Sequence, residues 1–356
     1  VNEFVPTSTS DTAPRDRLGR PLRDLRISVI ETCNFRCPYC MPEGGAYDAP
    51  GLDAAHRLGF AQIEAVARSA VRLGVRKLRL TGGEPLLRRN LPDLVARLAA
   101  IEGVDDLALT TNGSLLAGKA RALRAAGLHR LTVSLDALDP ALFARMSGGR
   151  GRVEEVLAGI AAAEDAGFER LKFNVVVQQG VNEGEVLPLV ERFRGSGHVV
   201  RFIEYMDVGS CNGWRREAVV PSLALRDRIA ARWPLHPVAP AYRGEVADRY
   251  AFADGEGEVG FVSSVSAPFC GDCHRARLSA DGRLHTCLFA SGGLDLRPLL
   301  GDAGATVIDG EVIDGDALDA ALARVWRARA DRYSEQRGAP APARTPRRIE
   351  MFYIGG

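Results

Sequence analysis

Six of the seven cysteines in this 356-residue chain fall into two tight sets: Cys33, Cys37 and Cys40, then Cys270, Cys273 and Cys287. An odd total without a secretory start argues against a disulfide framework, and clustered thiols in a reducing compartment read as metal ligands. The first set is a C-x3-C-x2-C run, Cys33-Asn34-Phe35-Arg36-Cys37-Pro38-Tyr39-Cys40. Three thiolates so close together can hold three irons of a 4Fe–4S cube and leave the fourth iron open. An open iron can chelate a small molecule, over which Tyr39 would pack. A zinc site would want a fourth ligand nearby, and no histidine lies between Cys33 and His56.

The second set, C-x2-C-x13-C, reads as a second three-ligand 4Fe–4S site. Here a structural zinc site completed by His274 or His285 is a competing reading. Within it, His274-Arg275-Ala276-Arg277 places two guanidiniums beside the metal. Arginine forks suit phosphate oxygens, although Arg275 and Arg277 could equally be solvated surface residues. Cys211 is left over and reads as an ordinary thiol.

Residues 1–20 lack periodicity and are expected to be a flexible leader. From 21 to about 232, short β-like runs (25–30, 77–81, 106–110, 130–136, 171–177 and 199–206) alternate with helical patterns such as 61–74 and 152–167. Six βα units in series imply an α/β fold with a parallel sheet and right-handed crossovers. A second region, 233–356, has weaker periodicity, with β-like runs near 260–265 and 277–288 and a helix near 316–331.

Alternation within the strands is informative. Arg26 and Ser28 oppose Leu25, Ile27 and Val29; Lys77, Arg79 and Thr81 oppose Leu78 and Leu80; Lys172 and Asn174 oppose Leu171, Phe173 and Val175. In a βα barrel the apolar face meets the helices, so the polar face points inward. Arg26, Lys77, Arg79, Lys172 and Arg201 would then be internal, and five buried cations are untenable without an anion. The alternative is that some of these strands are edge strands with solvated faces.

Net charge is +1, so the molecule as a whole offers nucleic acid no electrostatic footprint. Any anionic ligand must be held by a local cluster. No apolar run approaches the roughly 18 residues of a membrane span, and a cytoplasmic location is the expectation.

The first cysteine run resembles the signature of the radical S-adenosylmethionine superfamily. That resemblance implies that the open iron binds the amino and carboxylate groups of S-adenosylmethionine, and that the reduced cluster cleaves it to a 5′-deoxyadenosyl radical. The remaining site residues follow strand ends, as a βα barrel requires. Thr81-Gly82-Gly83-Glu84-Pro85 follows the second strand, its glycines allowing close backbone approach and Glu84 available to pair with an ammonium.

Asp24-Leu25-Arg26-Ile27-Ser28, the segment 201–209, Cys270 to Arg277 and the terminal Gly355-Gly356 are together similar to the GTP 3′,8-cyclase family of molybdenum-cofactor biosynthesis. The similarity runs from about residue 17 to the end. It implies an incomplete (βα)6 TIM-like barrel closed by a C-terminal region with the second cluster, and a homodimer needing an external reductant. S-adenosylmethionine would lie near Tyr39, Gly83, Ser134 and Met206. GTP would lie between the clusters, its base at the second open iron. Arg26, Lys77, Arg79, Thr110, Lys172, Arg201 and Arg275-Ala276-Arg277 would contact its sugar and triphosphate. The radical would remove the ribose 3′ hydrogen, and the sugar carbon would attack C8 of guanine. Gly355 and Gly356 would reach into the site; a frayed end or a sulfur-carrier tail are the other readings of that pair. A peptide-modifying radical enzyme with an auxiliary cluster would need a docking segment. A non-catalytic iron–sulfur or zinc sensor would need a basic surface.

Overall fold

Period-two alternation builds the centre of the molecule, a twelve-stranded sheet seen in a computed structural model that describes residues 13–41, 56–301, 315–337 and 348–355. Six strands, β1 (Asp24–Ser28), β2 (Lys77–Thr81), β3 (Asp106–Thr111), β4 (Arg130–Ser134), β5 (Lys172–Val177) and β6 (Val199–Glu204), lie side by side in chain order. All five pairings among them are parallel. The intervening helices are α1 (Phe60–Arg72), α2 (Leu91–Ala99), α3 (Ala120–Ala125), α4 (Pro140–Met146), α5 (Val153–Asp165) and α6 (Val186–Phe193).

Leu25, Ile27, Leu78, Leu80, Val133, Phe173, Val175 and Phe202 are buried against those helices. Truncating one such leucine to alanine costs about 2–5 kcal/mol. The helices present matching stripes: Ile63, Val66, Ala67, Ala70 and Val71 on α1 recur at helical spacing. Local caps set their starts. The Gly59 N–H donates to Gln62 Oε1 at 2.9 Å ahead of α1, and the Leu142 N–H donates to Asp139 Oδ1 at 2.7 Å at the start of α4.

A six-stranded parallel sheet has two open edges, and the C-terminal region covers both. After α7 (Ser222–Ala230), strands β7 (Leu235–Val238), β8 (Asp248–Phe252) and β9 (Glu258–Val262) form an antiparallel meander whose last strand joins β6 in parallel. The chain then crosses to the opposite edge. There β10 (Arg275–Leu278) pairs in parallel with β1 and carries the antiparallel β11 (Arg283–His285) and β12 (Leu294–Asp295). Helix α8 (Gly315–Ala328) packs on α1, where Asp319 accepts from Ser69 and Arg72. Short helices α9 (Tyr333–Gln336) and α10 (Met351–Ile354) end the described chain.

The six expected strands and the βα alternation match the sheet, with ends moved by one or two residues. The expected run 277–288 is two strands, because Ser279, Asp281 and Gly282 turn it into a hairpin. The leader is a correction over its described part. Asp16 and Arg20 are 6% and 3% exposed, their side chains pair at 2.5 Å, and Trp326 Nε1 donates to the Arg20 carbonyl at 2.9 Å. Pro14, Asp16 and Arg20 are therefore packed against the rest of the molecule while Arg15, Arg17, Leu18 and Gly19 are exposed, and residues 1–12 lie outside the described part. No helix among the described residues is long and apolar enough to cross a membrane.

Candidate active site

Both cysteine sets open onto one cavity of about 320 Å³ enclosed by the inner face of the sheet. Cys33, Cys37 and Cys40 lie on the loop following β1. The Phe35 N–H donates to Cys33 Sγ at 3.4 Å, while Phe35 packs edge-on against Phe143 and anchors the loop in the core. Asn112, just after β3, donates to Asn34 Oδ1 at 2.9 Å and approaches Cys33 Sγ at 3.9 Å. Gly83 brings the loop after β2 against this one: a Cβ there would lie 2.3 Å from the Thr32 carbonyl oxygen.

Glu84 does something other than face an ammonium. It is fully buried and accepts from Leu86 N–H, Thr111 Oγ1 and Asn112 N–H at 2.9, 2.7 and 2.7 Å. Burial raises its pKa to about 7 against those hydrogen bonds. Three donors from two loops fix its two oxygens, so it braces the cysteine loop. Tyr39 does face the cavity, donating to Asp136 Oδ2 at 2.6 Å; burial brings Asp136 to about 6. Gly83, Ser134 and Met206 line the same cavity.

Cys270, Cys273 and Cys287 line the cavity too. Burial alone would raise the Cys273 thiol, but the Arg275 and Arg329 guanidiniums outweigh it and bring it to about 6. Their Nη2 atoms donate to Cys273 Sγ at 3.4 and 3.2 Å. Cys287 is raised to about 11 by burial. Among the described residues no three His, Cys, Asp or Glu side chains converge closely enough for a single metal ion. His285 Nδ1 is engaged with the Gly292 carbonyl at 3.0 Å. Three thiols on one cavity wall are of the number and type that can hold three irons of a 4Fe–4S cube.

Strand register arranges the cations between the sets in rows. Arg275, Asp24, Lys77 and Asp106 sit side by side on β10, β1, β2 and β3, so that row alternates in charge. The next row is Arg277, Arg26 and Arg79, three adjacent strands all presenting guanidiniums. Like charges on facing positions repel. Burial, then Arg277 and Arg275, hold Arg26 well below the usual guanidinium range. Lys172 is lowered to about 7 and Arg201 to about 9, by burial first and then by neighbouring arginines. The Nε atoms of Arg26, Arg79 and Arg201 are buried and have no hydrogen-bond partner among the described residues. Arg79 Nη1 donates to Thr110 Oγ1 at 2.9 Å, and Arg201 donates to Asn174 Oδ1 at 2.7 Å.

Thus Arg26, Lys77, Arg79, Thr110, Lys172, Arg201, Arg275 and Arg277 come together on one cavity. Ala276 does not. It pairs with Leu25 and its side chain is buried in the core, because alternate residues of β10 face opposite ways. The tail does arrive: Arg277 Nη1 donates to the Ile354 and Gly355 carbonyls, and a Cβ on Gly355 would lie 2.2 Å from Thr81 Cγ2. Gly356 lies outside the described residues. Cys211 is less detached than its sequence position suggests, since Sγ meets Glu350 Oε2 at 3.0 Å.

Sequence reasoning missed Asp24, Tyr242 and Arg329. Asp24 shares a strand face with Arg26, so alternation could have found it. Tyr242, whose ring lies 5.7 Å from Lys77 Nζ, comes from the irregular connection between β7 and β8. Arg329 follows α8 and carries no local signal.

Residues 27–193 match the Radical SAM superfamily, and residues 198–335 match Molybdenum Cofactor Synthesis C. A protein of Xanthomonas campestris pv. campestris (strain B100) named GTP 3′,8-cyclase is 66% identical over 342 residues, 96% of this chain and 97% of its own length. Proteins of the same name from Acidothermus cellulolyticus and Staphylococcus epidermidis are 50% and 43% identical, each over 96% of this chain and over 99% and 98% of theirs. Among solved structures, Streptococcus suis SuiB bound to S-adenosylmethionine is 14% identical with a TM-score of 0.58, covering 86% of this chain and 65% of that one. That likeness shows a shared fold.

Proposed function

This chain belongs to the GTP 3′,8-cyclase family of radical S-adenosylmethionine enzymes, and from that premise we propose how its cavity performs the family's reaction. The enzyme converts GTP to (8S)-3′,8-cyclo-7,8-dihydroguanosine 5′-triphosphate, the first step of molybdenum-cofactor biosynthesis. A 4Fe–4S cluster on Cys33, Cys37 and Cys40 supplies, when bound, the reductive cleavage of S-adenosylmethionine whose 5′-deoxyadenosyl radical takes the ribose 3′ hydrogen. Cys270, Cys273 and Cys287 would hold a second 4Fe–4S cluster, whose open iron would offer a site for the guanine base.

The observation that carries the substrate assignment is the Arg277–Arg26–Arg79 row. Three adjacent guanidiniums, of which Arg26 and Arg79 each keep a buried Nε–H without a hydrogen-bond partner among the described residues, call for a polyanion, and a triphosphate supplies both charge and acceptors. Lys77, Lys172, Arg201 and Arg275 extend that cradle, with Thr110 orienting Arg79. Tyr39, Gly83, Ser134 and Met206 hold S-adenosylmethionine at the other end, Asp136 fixing the Tyr39 hydroxyl. Fixing the ribose between the ends is the protein's kinetic contribution, together with exclusion of water. The Arg277 guanidinium also grips the Gly355 carbonyl, so the chain's last described residue reaches the cation cradle.

The family's homodimer, an external one-electron reductant and a cytoplasmic setting complete the proposal. A peptide substrate would leave the cation row without a partner. Anaerobically reconstituted protein should carry roughly eight irons per chain. Given GTP, S-adenosylmethionine and a reductant, it should form 5′-deoxyadenosine and cyclised nucleotide in equal amounts. One cluster plus zinc would overturn the two-cluster assignment, and 5′-deoxyadenosine uncoupled from GTP consumption would overturn the cyclase assignment.

A further inference from the structure

One guanidinium outside the phosphate cradle reaches the second cysteine set from beneath. Arg329, 4% exposed, follows α8 and stacks on Trp326 with its guanidinium carbon 4.6 Å from the ring centroid. Its Nη1 donates to the Cys273 carbonyl at 2.7 Å, and its Nη2 donates to Cys273 Sγ at 3.2 Å. Behind it, Nη1 lies 3.4 Å from Asp16 Oδ2.

Asp16 is itself gripped. Arg20 Nε pairs with Oδ2, and the N–H groups of Leu18 and Arg20 donate to Oδ1 at 2.9 Å each. Arg20 Nη1 then donates to the Cys270 carbonyl at 2.6 Å. The carbonyls of Cys270 and Cys273 are therefore both held by guanidiniums anchored on one buried carboxylate. Asp331 Oδ2 lies 3.5 Å from Arg329 Nε, so two carboxylates stand beside the two guanidiniums, and Cys273 Sγ is the acceptor that Arg329 Nη2 meets.

We propose that Arg329, held by Asp16, is a positioning residue for the second cluster, and that its N–H···S bond to Cys273 sets that cluster's reduction potential. The Asp16–Arg20–Arg329 clamp also holds the loop from Cys270 to Cys273 open to receive the cluster. A hydrogen bond to a cluster thiolate favours the more negative, reduced state, so losing it drives the potential downward. The inference rests on the two-cluster reading above.

The test uses the full chain with Cys33, Cys37 and Cys40 replaced by alanine, reconstituted anaerobically with iron and sulfide. Iron content is read first and the midpoint potential second, by titration followed with electron paramagnetic resonance. Lysine at 329 keeps the charge toward Asp16 but cannot span the carboxylate, carbonyl and sulfur together. Arg329→Lys is expected to retain about four irons with a midpoint shifted to more negative potential. The exposed Arg324→Ala should leave it unchanged. Loss of loading in Arg329→Lys with an unchanged circular dichroism spectrum also supports the clamp. A fully loaded Arg329→Lys with the parent potential overturns the proposal. If the triple-alanine parent takes up no cluster, the two-cluster reading itself falls, a result seen before any potential is measured.

Discussion

Both cysteine sets present three thiols to one cavity, but Cys33, Cys37 and Cys40 share the loop after β1, whereas Cys270 and Cys273 precede β10 and Cys287 follows β11, and the charges around the two sets differ. Around the first set burial raises all three thiols: Glu84 adds to it at Cys33, which reaches about 11, Asp136 adds to it at Cys37, and the neighbouring Cys37 and Cys33 add to it at Cys40, ahead of Cys211 and Glu350. Around the second set, Arg275 and Arg329 act on Cys273 and draw it down to about 6. Asp331 opposes them only at Cys287. Asp136 lines the cavity at the first end and favours a cationic ligand there, whereas the guanidiniums that line the second end favour an anion. The field, more than the thiol count, separates the two jobs.

Removing one end should leave the other working. Cys37→Ala is expected to abolish 5′-deoxyadenosine formation and to halve the iron, while GTP binding stays within about threefold of the parent. A parallel collapse of GTP binding, read by equilibrium dialysis, would show that the two ends are not independent.

Arg277→Ala should do the converse. Losing a charge-assisted contact worth about 1.5–3 kcal/mol weakens GTP binding roughly 10- to 100-fold. Iron at the first set, and the basal cleavage of S-adenosylmethionine without GTP, should be unchanged. Unaltered GTP affinity would remove Arg277 from the cradle.

The smallest effect separates the ends by pH. Lys172, lowered to about 7 by burial and then Arg201, is partly neutral in the substrate-free cavity at neutral pH. A triphosphate favours its protonated form, so binding takes up a proton and weakens as pH rises from 7 towards 9. The slope is at most about tenfold per pH unit for this one group. Lys172→Arg, permanently charged, should flatten that slope without altering affinity for S-adenosylmethionine. An unchanged slope would assign the titration elsewhere, with Lys77, lowered to about 8, the next candidate.

Much of this site was legible in advance because its signals are local. Cysteine spacing marked both sets, and period-two alternation put Arg26, Lys77, Arg79, Lys172 and Arg201 on the inner face. The same rule, applied to β10, would have turned Ala276 outward, but the motif was taken as a block. Sequence shows Glu84 as a carboxylate beside glycines, and not the three donors from Leu86, Thr111 and Asn112 that hold it. Residues 13–20 looked like a leader because their order comes from Arg20, Asp16 and Trp326, partners drawn from opposite ends of the chain.

By itself, the sequence determined which residues carry chemistry and which face of each strand they occupy, since thiol spacing and side-chain alternation are properties of short segments. Tertiary structure decided which of them meet. The parallel pairing of β10 with β1 sets Arg277 beside Arg26, register completes the row with Arg79, and the returning tail brings Gly355 to the same guanidinium. Those contacts join segments far apart in the chain. Periodicity specifies a face but never a neighbour, so only the folded sheet could place three arginines in one row.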